Sequence, residues 1–307
     1  MLLVLSHMEM LFLSMIGAVT IVGCLIGVVE PHLPAFITQS FRYGKHSLKD
    51  RRNNLVALLE VPKSSFRHFY VFSVVWSSLG LGLVLWLCLA ARSAPDFVIT
   101  FLDFFCGKRR MEKSTSLETL VAITCVFAQC FRRFYETHFL QIFSRTSRIN
   151  IAHYLIGYIH YFGAVVAILG HAEGFVAPSS PAKLSTDQLS WRIFLSAGLF
   201  AFSWWHQWKS NVILAQLRMN PQGQVITEKH LMPTGGFFEL VSSPHMLFEC
   251  LIYLSLIPVL AGNTPWLFVV AWVVSNQAQV AHLTHIWYRD TFSNYPKCRR
   301  ALIPWLF

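Results

Sequence analysis

The chain has 307 residues, 54% of them hydrophobic and 13% charged, with 25 Lys and Arg against 15 Asp and Glu for a formal charge of +10. Soluble domains carry about a quarter charged residues, so this composition, with a mean hydropathy of +0.49, places most of the chain in an apolar medium. In a soluble protein the cationic surplus would point to nucleic acid; here the cations lie between apolar runs, as loops facing anionic lipid do, and nucleic acid binding is set aside.

A helix needs about 20 mostly apolar residues to cross the hydrocarbon core. Such runs fall at 11–29, 70–92, 117–131, 151–170, 192–208, 246–262 and 265–285. The third and fifth are shorter or polar at their ends. The expected architecture is an all-α, polytopic bundle of about seven transmembrane helices. No internal repeat or low-complexity linker divides it, so residues 1–307 read as a single domain. The N-terminus has no cationic start and no small-residue cleavage site, and its apolar run reads as the first span.

Loop charge predicts orientation. Arg42, Lys45, Lys49, Arg51, Arg52, Lys63 and Arg67 follow the first span, and Arg132, Arg133, Arg145 and Arg148 follow the third. Lys209, Arg218 and Lys229 follow the fifth; Arg289, Lys297, Arg299 and Arg300 follow the seventh. These alternate segments share one side, expected to be cytosolic. The loop with Glu173, Pro178, Pro181 and Asp187 is cation-poor and falls opposite. Lys108, Arg109, Arg110 and Lys113 dissent from the pattern. The seven cysteines include no CxxC pair and sit mostly in apolar runs, where Cys acts as a small hydrophobe.

Polar groups inside spans are expensive and mark sites. Three clusters qualify, all towards the expected cytosolic side. In the first, Gln129, Arg132, Arg133 and Glu136 recur at three- and four-residue spacing and share a helical face, with Tyr135 and His138 alongside. It is either a helix-end ion pair or a site for a substrate oxygen. In the second, Trp204, Trp205 and Trp208 suit an interfacial belt. His206, Asn211 and Arg218 differ: Asn211 and Arg218 lie two turns apart, and an Arg on such a stripe can clasp a phosphate. The third runs from Gly235-Gly236 and Glu239 to His245 and Glu249. Glu249 lies about one turn inside an apolar stretch, where an unpaired carboxylate costs several kcal/mol. The glycine pair reads as a turn. There is no GxGxxG, P-loop, nucleophile elbow or HExxH, and the histidine and carboxylate spacings form no compact metal-ligand set.

Asn211 to Arg218, Pro233-Thr-Gly-Gly-Phe-Phe-Glu239 through Pro244-His245 to Glu249, His285-Ile-Trp-Tyr288, and Tyr295-Pro-Lys297-Cys-Arg299-Arg300 together resemble the C-terminal domain of the steroid 5α-reductase family. Arg132-Arg133-Phe-Tyr135-Glu136 is similar to the arginine–glutamate element of its type 3 branch, the polyprenal reductases. The resemblance implies an NADPH-dependent enzyme, multi-pass in the endoplasmic reticulum membrane, that saturates an α,β-unsaturated carbonyl. For the type 3 branch that carbonyl is polyprenal, on the route from polyprenol to dolichol for N-glycosylation.

By position, the resemblance implies cofactor contacts for Asn211, Arg218, His245, Glu249, His285 and Tyr288. His206 joins them from the second cluster. His245 stands where the family more often has Asn. The steroid-selective Gln-Glu pair is not recognisable, which favours a polyprenyl lipid substrate. For NADPH the 2′-phosphate needs cations, and Arg218, Lys297, Arg299 and Arg300 are the candidates. Gln129, Arg132 and Arg133 are expected on the substrate side. Tyr135 with Glu136, or Tyr288 with the adjacent His285, is expected to donate to the carbonyl oxygen, where charge develops after hydride transfer. Ile303–Phe307 is expected to pack back over the pocket as a lid. The alternatives are a 3-oxo-5α-steroid 4-dehydrogenase or enoyl-CoA reductase, and, from another class, a seven-span transporter or receptor.

Overall fold

The computed structural model describes residues 5–42, 46 and 53–307; Lys45, Lys49, Arg51 and Arg52 of the first cationic loop lie outside the described residues. The long helices are α1 (His7–Val29), α4 (Phe66–Ala90), α6 (Ser116–Tyr135), α7 (Ile151–Gly170), α8 (Trp191–Gln216) and α10 (Thr264–Thr291). The shorter α9 (Pro244–Leu254) continues in tight turns to Gly262. Each contains or coincides with one of the seven apolar runs. Short α2 (Ala35–Phe41), α3 (Asn54–Leu58) and α5 (Asp96–Cys106), and an antiparallel pair of β1 (Glu60–Pro62) with β2 (Arg148–Asn150), were not foreseen.

By length and apolar composition alone, His7–His32, Lys63–Ala90 and Ile151–Gly170 can cross a membrane. The remaining long helices α6, α8 and α10 carry the polar side chains described below, and these dilute their apolar character.

The helix starts are written locally. Ser6 and Glu9 form a capping box on α1, and Thr115 and Glu118 form another on α6. Asn150 caps α7, and Asn263 accepts from the Trp266 N–H at the start of α10, which also has Pro265 in its first turn. Helix α4 packs along α6 and α7, α1 along α10, and α8 along α9. Glycine permits two of the closest approaches. A Cβ on Gly163 would lie 2.6 Å from the buried Phe12 ring, and one on Gly157 would lie 2.6 Å from Phe69.

One of the four dissenting cations has a structural explanation. Arg110 is buried and donates to Asp103 at 2.7 Å and to the carbonyls of Gly170, Phe175 and Ile99. It ties the end of α5 to the end of α7, so its charge is used inside the protein rather than at a membrane face.

The tail is not a lid. Trp305 and Leu306 are 81% and 77% exposed, and Phe307 stacks on His282 with ring centroids 6.0 Å apart. Instead the segment before it braces the loop ahead of α9: Arg300 N–H donates to Leu240, and Ser242 N–H donates back to Arg300 at 2.8 Å. The apolar end residues stay outside that bridge, free of the cavity described next.

Candidate active site

Helices α6, α8 and α9 meet through polar side chains buried between them. Gln129 on α6 donates at 3.0 Å to both the Gln207 side-chain oxygen and the Glu249 carboxylate. Gln207, on α8, also donates to Glu249 and, at 3.0 Å, to the His245 carbonyl. Arg132 donates to Gln129 at 2.7 Å, to Gln207 and to the Trp204 carbonyl, and its guanidinium lies 4.7 Å from the Trp204 ring centroid.

At Tyr135 the α-helix passes into a single π-helical turn, Glu136–Leu140, a distortion often found at functional sites. Glu136 on that turn is fully buried. Its carboxylate pairs with Arg133 and, at 3.4 Å, with Arg132, and accepts from Asn211 on α8 at 2.9 Å. Arg133 in turn donates to the Tyr70 hydroxyl on α4 at 3.0 Å. Two cations and one buried carboxylate are thus held with their hydrogen bonds largely satisfied, the condition under which a buried ionic cluster is tolerated.

This network forms one wall of a cavity of about 960 Å³ lined from α1, α2, α4, α6, α7, α8, α9 and α10. The lining is of two kinds. The polar wall includes Tyr70, Arg133, Asn211, Arg218, Glu249 and Tyr288, with Lys63 ahead of α4. The apolar flank is built from α1 and α2, with Leu11, Met15, Ala18, Val19 and Ile37. Arg218, past the end of α8, donates to the Ile142 carbonyl at 2.7 Å, and burial lowers its pKa from the ordinary value without removing its charge. The cationic side chains of Lys63 and Arg218 at one end, amide and carboxyl groups along the wall, and this volume fit a phosphate-bearing dinucleotide. Among the described residues, no group of three or more His, Cys, Asp or Glu is placed to hold a metal ion.

The structure sorts the expected residues. Arg133, Asn211, Arg218, His245, Glu249 and Tyr288 line the cavity, and Gln129, Arg132 and Glu136 stand behind them in the network.

Several others lie elsewhere. Tyr135 is 46% exposed on the outer face of α6, against Phe139 and Trp208, one helical step away from the inward Glu136. His206 packs among Phe202, Phe237 and Phe248. His285 is spent on Ser242, whose hydroxyl lies 2.6 Å from its Nδ1 and 2.5 Å from the Tyr295 hydroxyl. Arg299 is buried as a brace on the Pro233 carbonyl and Glu239, while Lys297 and Arg300 are exposed away from the cavity. Conversely Tyr70, Lys63 and Gln207 were missed. Gln207 had a legible signal, an amide inside an apolar run one turn before Asn211. Tyr70 opens the second apolar run and stands in none of the three polar clusters.

The comparisons with known proteins decide the family. A polyprenal reductase of Drosophila melanogaster is 46% identical over 97% of this chain and 93% of its own length. The polyprenal reductase of Caenorhabditis elegans is 31% identical over 93% of the chain and 92% of its own length. The chain belongs to the polyprenal reductase branch of the steroid 5α-reductase family. The family model described as 3-oxo-5-alpha-steroid 4-dehydrogenase matches residues 172–307, the part that supplies α8, α9 and α10 to the cavity. A polyprenal reductase of Xenopus laevis, 35% identical over 87% of this chain and 84% of its own length, extends the likeness to vertebrates. The family consists of oxidoreductases that act on CH–CH groups.

Proposed function

We propose that this protein, as one domain, reduces the α-isoprene double bond of polyprenal with NADPH, in the endoplasmic reticulum membrane and with the cavity towards the cytosol. The observation that carries this reading is the near full-length identity to the Drosophila polyprenal reductase, joined to a cavity with a cationic end and an apolar flank. Its place would be the step from polyprenol to dolichol that supports N-glycosylation.

NADPH, when bound, would supply the hydride for reduction of the enal. The protein's part is binding and orientation, with charge placed for the transition state. Arg218 and Lys63 hold the 2′-phosphate. Asn211, His245 and Glu249 line the nicotinamide and ribose portion, with Tyr288 beside Arg218. Glu136 does not face substrate; it fixes Arg132, Arg133 and Asn211 so that α6 and α8 present a rigid wall. The prenyl chain lies along Leu11, Met15, Val19 and Ile37, where its methylenes leave water at about 0.8 kcal/mol each.

Purified protein with NADPH should be offered polyprenal, a progesterone-like enone and a trans-2-enoyl-CoA in parallel. Preferential turnover of polyprenal supports this reading. The steroid reading draws on the match of residues 172–307 to the 3-oxo-5-alpha-steroid 4-dehydrogenase model, and preferential turnover of the enone would favour it.

A further inference from the structure

We propose that Tyr70 is the catalytic hydrogen-bond donor to the substrate carbonyl oxygen, with Arg133 as the positioning residue that holds its hydroxyl. This deepens, and rests on, the reading that an enal is reduced by a nicotinamide cofactor.

A donor for a developing enolate must reach the cavity, keep a proton to give, and be held by a group that tolerates growing negative charge. Tyr70 meets all three conditions. It lines the cavity from α4 and is only 8% exposed. Its hydroxyl oxygen accepts from Arg133 at 3.0 Å, and among the described residues this is the one hydrogen bond that hydroxyl makes. The phenolic proton is therefore left for an acceptor in the cavity. The Arg133 guanidinium, 5.2 Å from the ring centroid, is locked by Glu136, which Asn211 also holds. Movement of charge onto the Tyr70 oxygen thus meets a fixed cation whose own partner cannot swing away.

Three other tyrosines among the described residues fail one condition each. Tyr135 points out of the cavity. Tyr288 keeps company with Arg218, at the end assigned to phosphate. Tyr161, whose ring centroid is 5.8 Å from that of Tyr70, lines the cavity without an Arg bonded to its hydroxyl.

Hydride adds to the β-carbon, the C=C electron pair moves to join the α-carbon to the carbonyl carbon, and the carbonyl pair moves to oxygen. The Tyr70 O–H donates to that oxygen while the charge resides there. A proton from solvent then adds at the α-carbon, restoring the C=O and giving the saturated aldehyde. One hydride and one proton are consumed.

Tyr70→Phe and Tyr135→Phe should be purified in lipid nanodiscs and compared with the parent protein for NADPH binding, by cofactor fluorescence, and for polyprenal turnover. Tyr70→Phe is expected to bind NADPH normally and to lose kcat by about 100-fold or more, the usual cost of one oxyanion donor. Tyr135→Phe, on the outer face away from the cavity, should keep kcat.

Replacing Tyr70 with 3,5-difluorotyrosine, which keeps the hydroxyl but makes it more acidic, should move the alkaline limb of the kcat profile to lower pH. The groups facing Tyr70 are Arg133 and Glu136 from α6 and its π-turn, Tyr161 from α7, and Glu249 and Tyr253 from α9. None of them changes in that variant. Wild-type kcat in Tyr70→Phe, an unmoved profile, or lost NADPH binding in Tyr70→Phe would each overturn the assignment. A parent protein that binds NADPH but reduces no enal would remove the functional reading, and this assignment with it.

Discussion

Asn211 on α8 donates to the carboxylate of Glu136 on the π-turn after α6, at 2.9 Å, and both side chains are buried. That bond joins two halves of the wall, because the same carboxylate pairs with Arg132 and Arg133. Glu136→Gln leaves two guanidinium groups facing a neutral amide. Breaking a buried pair from one side costs roughly 3–5 kcal/mol, whereas Asn211→Ala removes one bond to a charged group, about 1–3 kcal/mol. Thermal unfolding in detergent should rank the variants in that order, with reductase activity falling in both.

Cation placement divides Lys63 and Arg218 from Lys297, Arg299 and Arg300. Lys63→Ala and Arg218→Ala should each raise KM for NADPH by about 10- to 100-fold, the worth of one hydrogen bond to a charged group. KM for the lipid should stay nearly constant. Lys297→Ala and Arg300→Ala, on exposed side chains away from the cavity, should leave KM for NADPH unchanged. Arg299→Ala should act on stability, since Arg299 braces the Pro233 carbonyl. Steady-state kinetics with NADPH and lipid varied separately check all of these.

The Arg299 brace also predicts a pH dependence. The Gly235 N–H, at 2.5 Å, and then Arg299 hold the Glu239 carboxyl below its ordinary value of 4.5. A carboxyl whose pKa is lower in the folded than in the unfolded state contributes stability that is present above the unfolded value. That contribution is lost as pH falls through the folded one. The parent protein should therefore lose more unfolding temperature than Glu239→Gln when acidified below pH 4.5. Glu239 is exposed, so the difference should be small and should shrink in high salt.

Ala18 of α1 lines the apolar flank. Ala18→Trp should fill that flank. KM should rise for long-chain polyprenal, remain near normal for a two-isoprene enal such as citral, and stay unchanged for NADPH. Equal losses for both enals would count against a prenyl chain lying along α1.

What the sequence disclosed follows from where the physics is local. Membrane spans announce themselves through length and hydropathy, and α1, α4, α7 and α10 stand where their apolar runs lie. Gln129, Arg132 and Glu136 could be placed on one face by helical spacing, and the structure brings them together with Asn211 and Glu249. The same spacing turns Tyr135, the last residue of α6, about 100° away from Glu136 and so onto the outer face, a consequence that its chemistry as a donor had masked. Lys63 joins Arg218 across more than 150 residues of sequence, a proximity created only by packing. Residues His285 and Arg299 had the right chemistry for a cofactor, but Ser242, Pro233 and Glu239 claim their hydrogen bonds.

If hydride from NADPH saturates the α-isoprene unit of polyprenal in this cavity, single turnover with stereospecifically 4-deuterated NADPH and polyprenal, read by mass spectrometry, should leave one deuterium at the β-carbon of a product whose α-isoprene unit is saturated. One NADPH should be oxidised per product, and the signal should be lost in Arg218→Ala at limiting cofactor. Unlabelled or unreduced polyprenal, with deuterium passing instead to a steroid enone or an enoyl-CoA, would contradict this reading.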